Sequence, residues 1–156
     1  MNRICVLLSL VLCLVFAGVA QGQDNPFVGT WKLNTSKSKY PKGKAPKSLT
    51  RTVEAEGSGA KYHSEGEAAD GSKIDFSFST KYDGQDGKVD GSGMALGADT
   101  LAIKRINAHK VDATLKKDGK VVGHTTAAVS ADGKTTTLII KPTDGTAGNT
   151  SVYDKQ

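Results

Sequence analysis

The stretch Ile74-Asp75-Phe76-Ser77-Phe78-Ser79-Thr80-Lys81-Tyr82 decides how this chain folds. Ile74, Phe76, Phe78, Thr80 and Tyr82 alternate with Asp75, Ser77, Ser79 and Lys81. A period of two puts the first set on one face of a β-strand and the second on the other, so the strand has an inside and an outside. The same period recurs on either side. Leu101 and Ile103 alternate with Ala102 and Lys104, and Val111, Ala113 and Leu115 with Asp112, Thr114 and Lys116. Leu138 and Ile140 alternate with Thr137 and Lys141, although Ile139 makes that strand apolar on both faces. Further strands are expected at 28–33, 50–56, 60–67, 120–130 and 150–155. No segment after the first 22 residues sustains a helical period.

Turn signals separate these strands. They are Glu56-Gly57-Ser58-Gly59, Asp70-Gly71, Asp83-Gly84, Asp86-Gly87, Asp90-Gly91, Asp118-Gly119 and Asp132-Gly133. Asp tolerates a left-handed backbone and Gly adopts one freely, so Asp-Gly between alternating segments marks a hairpin. The expectation is all-β: a single antiparallel up-and-down barrel of about 8–10 strands, because closure removes the unpaired edges an open sheet would leave. The alternative is a β-sandwich, which long Greek-key connections would favour. Only one long connection is present, at 34–49.

The chain opens with a secretory leader. Arg3 supplies the charged start, an apolar run follows to Ala17, and Ala20-Gln21-Gly22 fits the small-x-small rule for cleavage before Gln23. The run is shorter than the roughly 20 apolar residues of a membrane span. Acylation at Cys13 is disfavoured by the bulky Leu12 before it. The expected division is therefore a leader at 1–22 and one domain at 23–156, with a secreted or periplasmic location and no transmembrane segment once the leader is removed. Both cysteines, Cys5 and Cys13, leave with the leader. The domain must then fold in an oxidising compartment without disulfides, and thiol nucleophiles and cysteine metal sites are excluded.

The long connection carries Lys37, Lys39, Lys42, Lys44 and Lys47, no acid, and prolines at 41 and 46. The prolines exclude a regular helix through its middle. Such a loop can simply stay solvated or can make weak contact with an anionic surface. Only Tyr40 is interleaved with the lysines, so no specific nucleic-acid partner is indicated. A shorter loop at 91–99 carries Met94 and Leu96. Asn34-Thr35-Ser36 and Asn149-Thr150-Ser151 match the N-glycosylation pattern, which matters only in a eukaryotic secretory pathway.

Little in the sequence points to catalysis. His63, His109 and His124 have no metal-ligand spacing, and no metal or other cofactor is expected. His109 belongs to a turn; His63 and His124 belong to the polar faces of strands. Glu54 with Glu56, and Glu65 with Glu67, share strand faces in a way that suits either a glycosidase pair or a solvated strand. No nucleophile elbow or phosphate loop is present. No catalytic residue is assigned.

The domain begins Phe27-Val28-Gly29-Thr30-Trp31-Lys32-Leu33 and ends Thr150-Ser151-Val152-Tyr153-Asp154-Lys155. The Gly-x-Trp start resembles that of lipocalins and fatty-acid-binding proteins, the calycin group, and the ending is similar to the last strand of fatty-acid-binding proteins. The start is also similar to small exported bacterial proteins of unassigned function that open with the same Gly-Thr-Trp-Lys-Leu-Asn run. The resemblance covers the two ends and the strand rhythm between them. It implies that Trp31 plugs one end of a barrel and packs under a basic side chain from a late strand, for which Arg105 is the better of the two domain arginines. Two departures stand out. The Lys/Pro-rich loop stands where fatty-acid-binding proteins insert a helix pair as a lid. Ser151 stands where they carry a carboxylate-holding arginine two residues before a tyrosine, so fatty-acid binding by that mechanism is not supported.

Three functions remain in order. The first is an exported module that holds a small apolar or amphipathic ligand inside the barrel. Phe76, Phe78, Tyr82, Leu101 and Ile103 would line the space left by the many Ala, Ser, Thr and Gly at strand positions, especially 123–130. The second is a surface-acting envelope protein with a filled barrel and the lysine loop as its contact. The third is an enzyme on the same frame, which would need titratable residues converging inside.

Overall fold

The computed structural model describes residues 25–156; the expected leader with its expected cleavage point, and both cysteines, lie outside the described residues. Eleven strands form one antiparallel sheet. They are β1 (Gly29–Leu33), β2 (Ser48–Glu56), β3 (Gly59–Glu67), β4 (Lys73–Thr80), β5 (Asp83–Lys88), β6 (Asp90–Ser92), β7 (Thr100–Asn107), β8 (Lys110–Lys117), β9 (Lys120–Val129), β10 (Thr135–Pro142) and β11 (Asn149–Lys155). The spatial order is β5-β7-β8-β9-β10-β11-β1-β2-β3-β4-β6. β1 and β11 pair through Trp31 with Lys155 and Leu33 with Tyr153. β5 and β6 are one run of chain that pairs first with β7 and then with β4, which draws the sheet into a nearly closed barrel.

This is the expected all-β barrel, with eleven strands among the described residues in place of about 8–10. The difference lies at the seam. Asp83-Gly84, Asp86-Gly87 and Asp90-Gly91, read as turns, lie within β5 and β6. Glycine serves close approach there: a Cβ at Gly91 would lie 2.2 Å from the Asp75 carbonyl oxygen, and one at Gly87 would lie 2.9 Å from that of Ser79. Only bare backbone lets the crossing segment lie this close to β4.

The faces of β4 fall as its alternation requires. Ile74, Phe76 and Phe78 are buried, while Lys73 and Ser79 are exposed. Tyr82 departs from the expectation. β4 ends at Thr80, and Tyr82 follows it with a left-handed φ of 59°, where the chain reverses at the end of the barrel. Its ring is nevertheless buried.

The register separates two ends. The connections at 57–58, 81–82, 108–109 and 130–134 gather at one, together with the segment that leads into β1. The longer connections at 34–47, 93–99 and 143–148 gather at the other, with the hairpin turns at 68–72 and 118–119.

The first end is closed by aromatic rings. Phe27 and Trp31 are buried, and the Trp31 indole N–H donates to the Phe27 carbonyl at 2.8 Å. The cation beside Trp31 is not Arg105. Lys155 Nζ lies 5.1 Å from the Trp31 ring, because Lys155 is its register partner on β11. Arg105, on β7, stacks on Tyr82 at 4.2 Å and donates to the Asn25 side-chain oxygen at 3.3 Å. Both basic residues brace the same end through different rings.

Candidate ligand-binding site

A cavity of 620 Å³ occupies the barrel. Its apolar wall comes from inward positions of β4, β7 and β8: Phe76 and Phe78, Leu101 and Ile103, Ala113 and Leu115. The room comes from small inward side chains. Ala113 is paired with Thr125 and Val111 with Ala127, so two neighbouring strands carry little bulk where they meet. Filling a barrel of this size takes large side chains on every strand, and β9 does not supply them.

A polar strip from β2, β10 and β11 interrupts the wall. Leu49, Arg51 and Val53 share the inward face of β2, so Arg51 points into the barrel beside them. Arg51 Nε donates to Ser64 Oγ at 3.1 Å, and its guanidinium lies 5.3 Å from the centre of the Tyr153 ring. Thr136 of β10 pairs with Tyr153 of β11, and Thr136 Oγ1 is buried with no hydrogen-bond partner. Ser151 Oγ shares a 2.6 Å hydrogen bond with the Tyr40 hydroxyl and accepts from Asn149 Nδ2 at 3.0 Å. Burial pushes the Tyr40 hydroxyl above the ordinary tyrosine value, against the opposing pull of the Ser151 bond. Among the described residues no Asp or Glu lines the cavity.

The lysine loop crosses the mouth. Its backbone is tied to β11 by reciprocal bonds between Lys39 and Thr150, at 2.7 and 2.8 Å. Tyr40, Pro41, Lys44 and Pro46 then face the cavity from above. The five lysines are not equivalent. Lys37 pairs with Asp154 at 3.0 Å and Lys47 pairs with Glu67. Among the described residues Lys39, Lys42 and Lys44 have no ion pair. Met94 and Leu96 line the mouth from the neighbouring loop, and Leu96 is 38% exposed.

Of the residues expected at a ligand site, Phe76, Phe78, Leu101 and Ile103 come together on the cavity wall. Tyr82 does not; it lies below, at the closed end, with its hydroxyl 2.7 Å from that of Tyr62 and 3.1 Å from Asn25 Nδ2. Sequence reasoning missed Arg51, Tyr40 and Thr136. For Arg51 a signal existed, since period two sets it on the apolar face of β2 with Leu49 and Val53. His63 and His124 are exposed on the outer surface and His109 sits in a hairpin turn. Glu54, Glu56 and Glu65 also point outward. Among the described residues no three His, Cys, Asp or Glu gather as metal ligands.

No family model and no curated protein matches this chain. Solved structures do. Wild-type fluorescent protein UnaG superposes with a TM-score of 0.59 at 18% identity, covering 83% of this chain and 97% of its own. A point mutant of UnaG gives 0.60 at 17%, covering 84% and 96%. A Schistosoma mansoni fatty-acid-binding protein in complex with arachidonic acid gives 0.61 at 14%, covering 86% and 99%. The fold is the antiparallel β-barrel of these proteins. At these identities the likeness is one of architecture, and this barrel has its own cover. Among its described residues the only helical element is the single 3₁₀ turn Ala95–Gly97, and a lysine- and proline-rich strap covers the mouth.

Proposed function

We propose that this protein is an exported binding protein that holds one small apolar or amphipathic ligand inside its barrel. The observation that carries the reading is the 620 Å³ interior, closed by aromatic rings at one end and walled mostly by apolar side chains. Sites for small molecules have this size and lining, with a few placed polar groups. A protein of the same fold, the fatty-acid-binding protein above, was solved in complex with arachidonic acid. The leader at 1–22 supports export to a secreted or periplasmic location. The arrangement favours binding over catalysis, since among the described residues no histidine or carboxylate faces the cavity. The three lysines without ion pairs at the mouth support weak contact between that end and an anionic surface.

Titration of the domain 23–156 with Nile red tests the binding reading. Emission should rise and blue-shift to saturation at one dye per chain. No enhancement at any concentration would overturn it.

A further inference from the structure

The interior holds a charge that nothing among the described residues balances. Arg51 lies on the inward face of β2, half-buried, and its Nε is spent on Ser64 Oγ. Tyr40, Tyr62 and Tyr153 are neighbours that act on it or lie under it. Burial raises the Tyr40 and Tyr62 hydroxyls above the ordinary tyrosine value, so neither offers it a negative charge near pH 7. No carboxylate lines the cavity among the described residues, and no ion pair to Arg51 forms. A guanidinium withdrawn from water without an anion is costly, and one with free terminal N–H groups is shaped to grip a planar or tetrahedral anion at two points. Across β11 and β1 from it, Thr136 Oγ1 on β10 is buried and unpartnered on the same cavity lining, a hydroxyl free to donate. The wall formed by Phe76, Phe78, Leu101, Ile103 and Leu115 offers only apolar contact.

We infer that the ligand is an anionic amphiphile whose carboxylate or phosphate head is held by Arg51, with its apolar body against the wall of β4, β7 and β8. The inference rests on the binding reading above and adds the charge, the anchor and the orientation. Ser151, already bonded to Tyr40 and Asn149, brings no charge, so the anchor sits on β2 and not on the last strand.

Trp31 is the only tryptophan in the chain and lines the cavity, so its emission reports occupancy. The test compares decanoate, decyl phosphate and decanol on the wild-type domain, and on Arg51→Gln and Arg51→Lys. At least one of the two anions should bind about tenfold or more tightly than decanol, as an added charge-assisted contact predicts. Arg51→Gln should bring that ratio close to one, and Arg51→Lys should keep a reduced preference. Equal affinities of all three probes for the wild type, or a ratio unchanged in Arg51→Gln, would overturn the inference. The wild-type comparison stands by itself if Arg51→Gln does not fold. Uptake of Nile red without any of the three alkyl probes would overturn this inference and leave the binding reading intact. Loss of Nile red uptake as well would overturn the binding reading.

Discussion

At one end of the barrel Phe27, Trp31, Tyr62 and Tyr82 are buried, and Trp31, Tyr62 and Tyr82 each hydrogen-bond to a neighbour within that end. At the other end Tyr40 is half-buried within the strap of lysines, and Leu96 and Met94 line the opening beside it. The ends share strands but differ in what the chain places there. Rings with satisfied polar atoms make a rigid plug, and a loop held along β11 by Asn34, Lys37, Ser38, Lys39 and Tyr40 makes a cover over an opening. Stability is therefore concentrated at the plug, and access to the interior belongs to the mouth.

Three variants probe this division of labour. The largest effect is expected at the plug. Trp31→Ala should lower unfolding stability in urea by about 3–5 kcal/mol, the usual cost of emptying a large buried ring. A loss under about 1 kcal/mol would mean that the plug is not what holds that end together.

Tyr62→Phe is intermediate. It removes the hydroxyl that meets Tyr82 and should cost about 1 kcal/mol. It also carries a pH signature. Burial, then the neighbouring Tyr82, pushes the Tyr62 hydroxyl well above the ordinary value of 10.0. The folded state thus keeps a proton that the unfolded chain gives up. The resulting stability is fully present below about pH 10 and is lost as pH rises through the folded value. Urea melts of the wild type from pH 8 to 11 should show this alkaline decline, and Tyr62→Phe should show less of it. Equal slopes would contradict the buried position of Tyr62.

The smallest effect on stability is expected at the mouth. Lys42→Gln with Lys44→Gln should shift the urea midpoint by no more than about 0.5 kcal/mol equivalent, as exposed substitutions usually do. The same pair should weaken sedimentation with vesicles containing phosphatidylserine. Unchanged vesicle binding would remove the lysine loop as a surface contact.

Much of the plug and wall was legible because it depends on local order. Period two set the inside of β4, and with it Phe76 and Phe78, without knowledge of any neighbour. The seam was not legible. Asp-Gly is a turn signal, but close approach of two backbones also calls for Gly, and nothing local separates the two at Asp86-Gly87 or Asp90-Gly91. Partners distant along the chain were equally hidden. Lys155 takes the place beside Trp31 that the resemblance assigns to Arg105, because the β1–β11 register decides it. Tyr40 reaches Ser151 across 111 residues. Arg51 was written on the apolar face of its strand in plain view. What the strand pattern could not give was the lining opposite it, where no acid stands among the described residues.

Whether the space between plug and mouth is a ligand site can be read from the protein purified from its own host, by native mass spectrometry followed by solvent extraction of the bound material. A ligand site predicts an added mass at near one small amphipathic molecule per chain, released into the extract. A clean mass of the bare chain, together with no uptake of a hydrophobic dye, would contradict it.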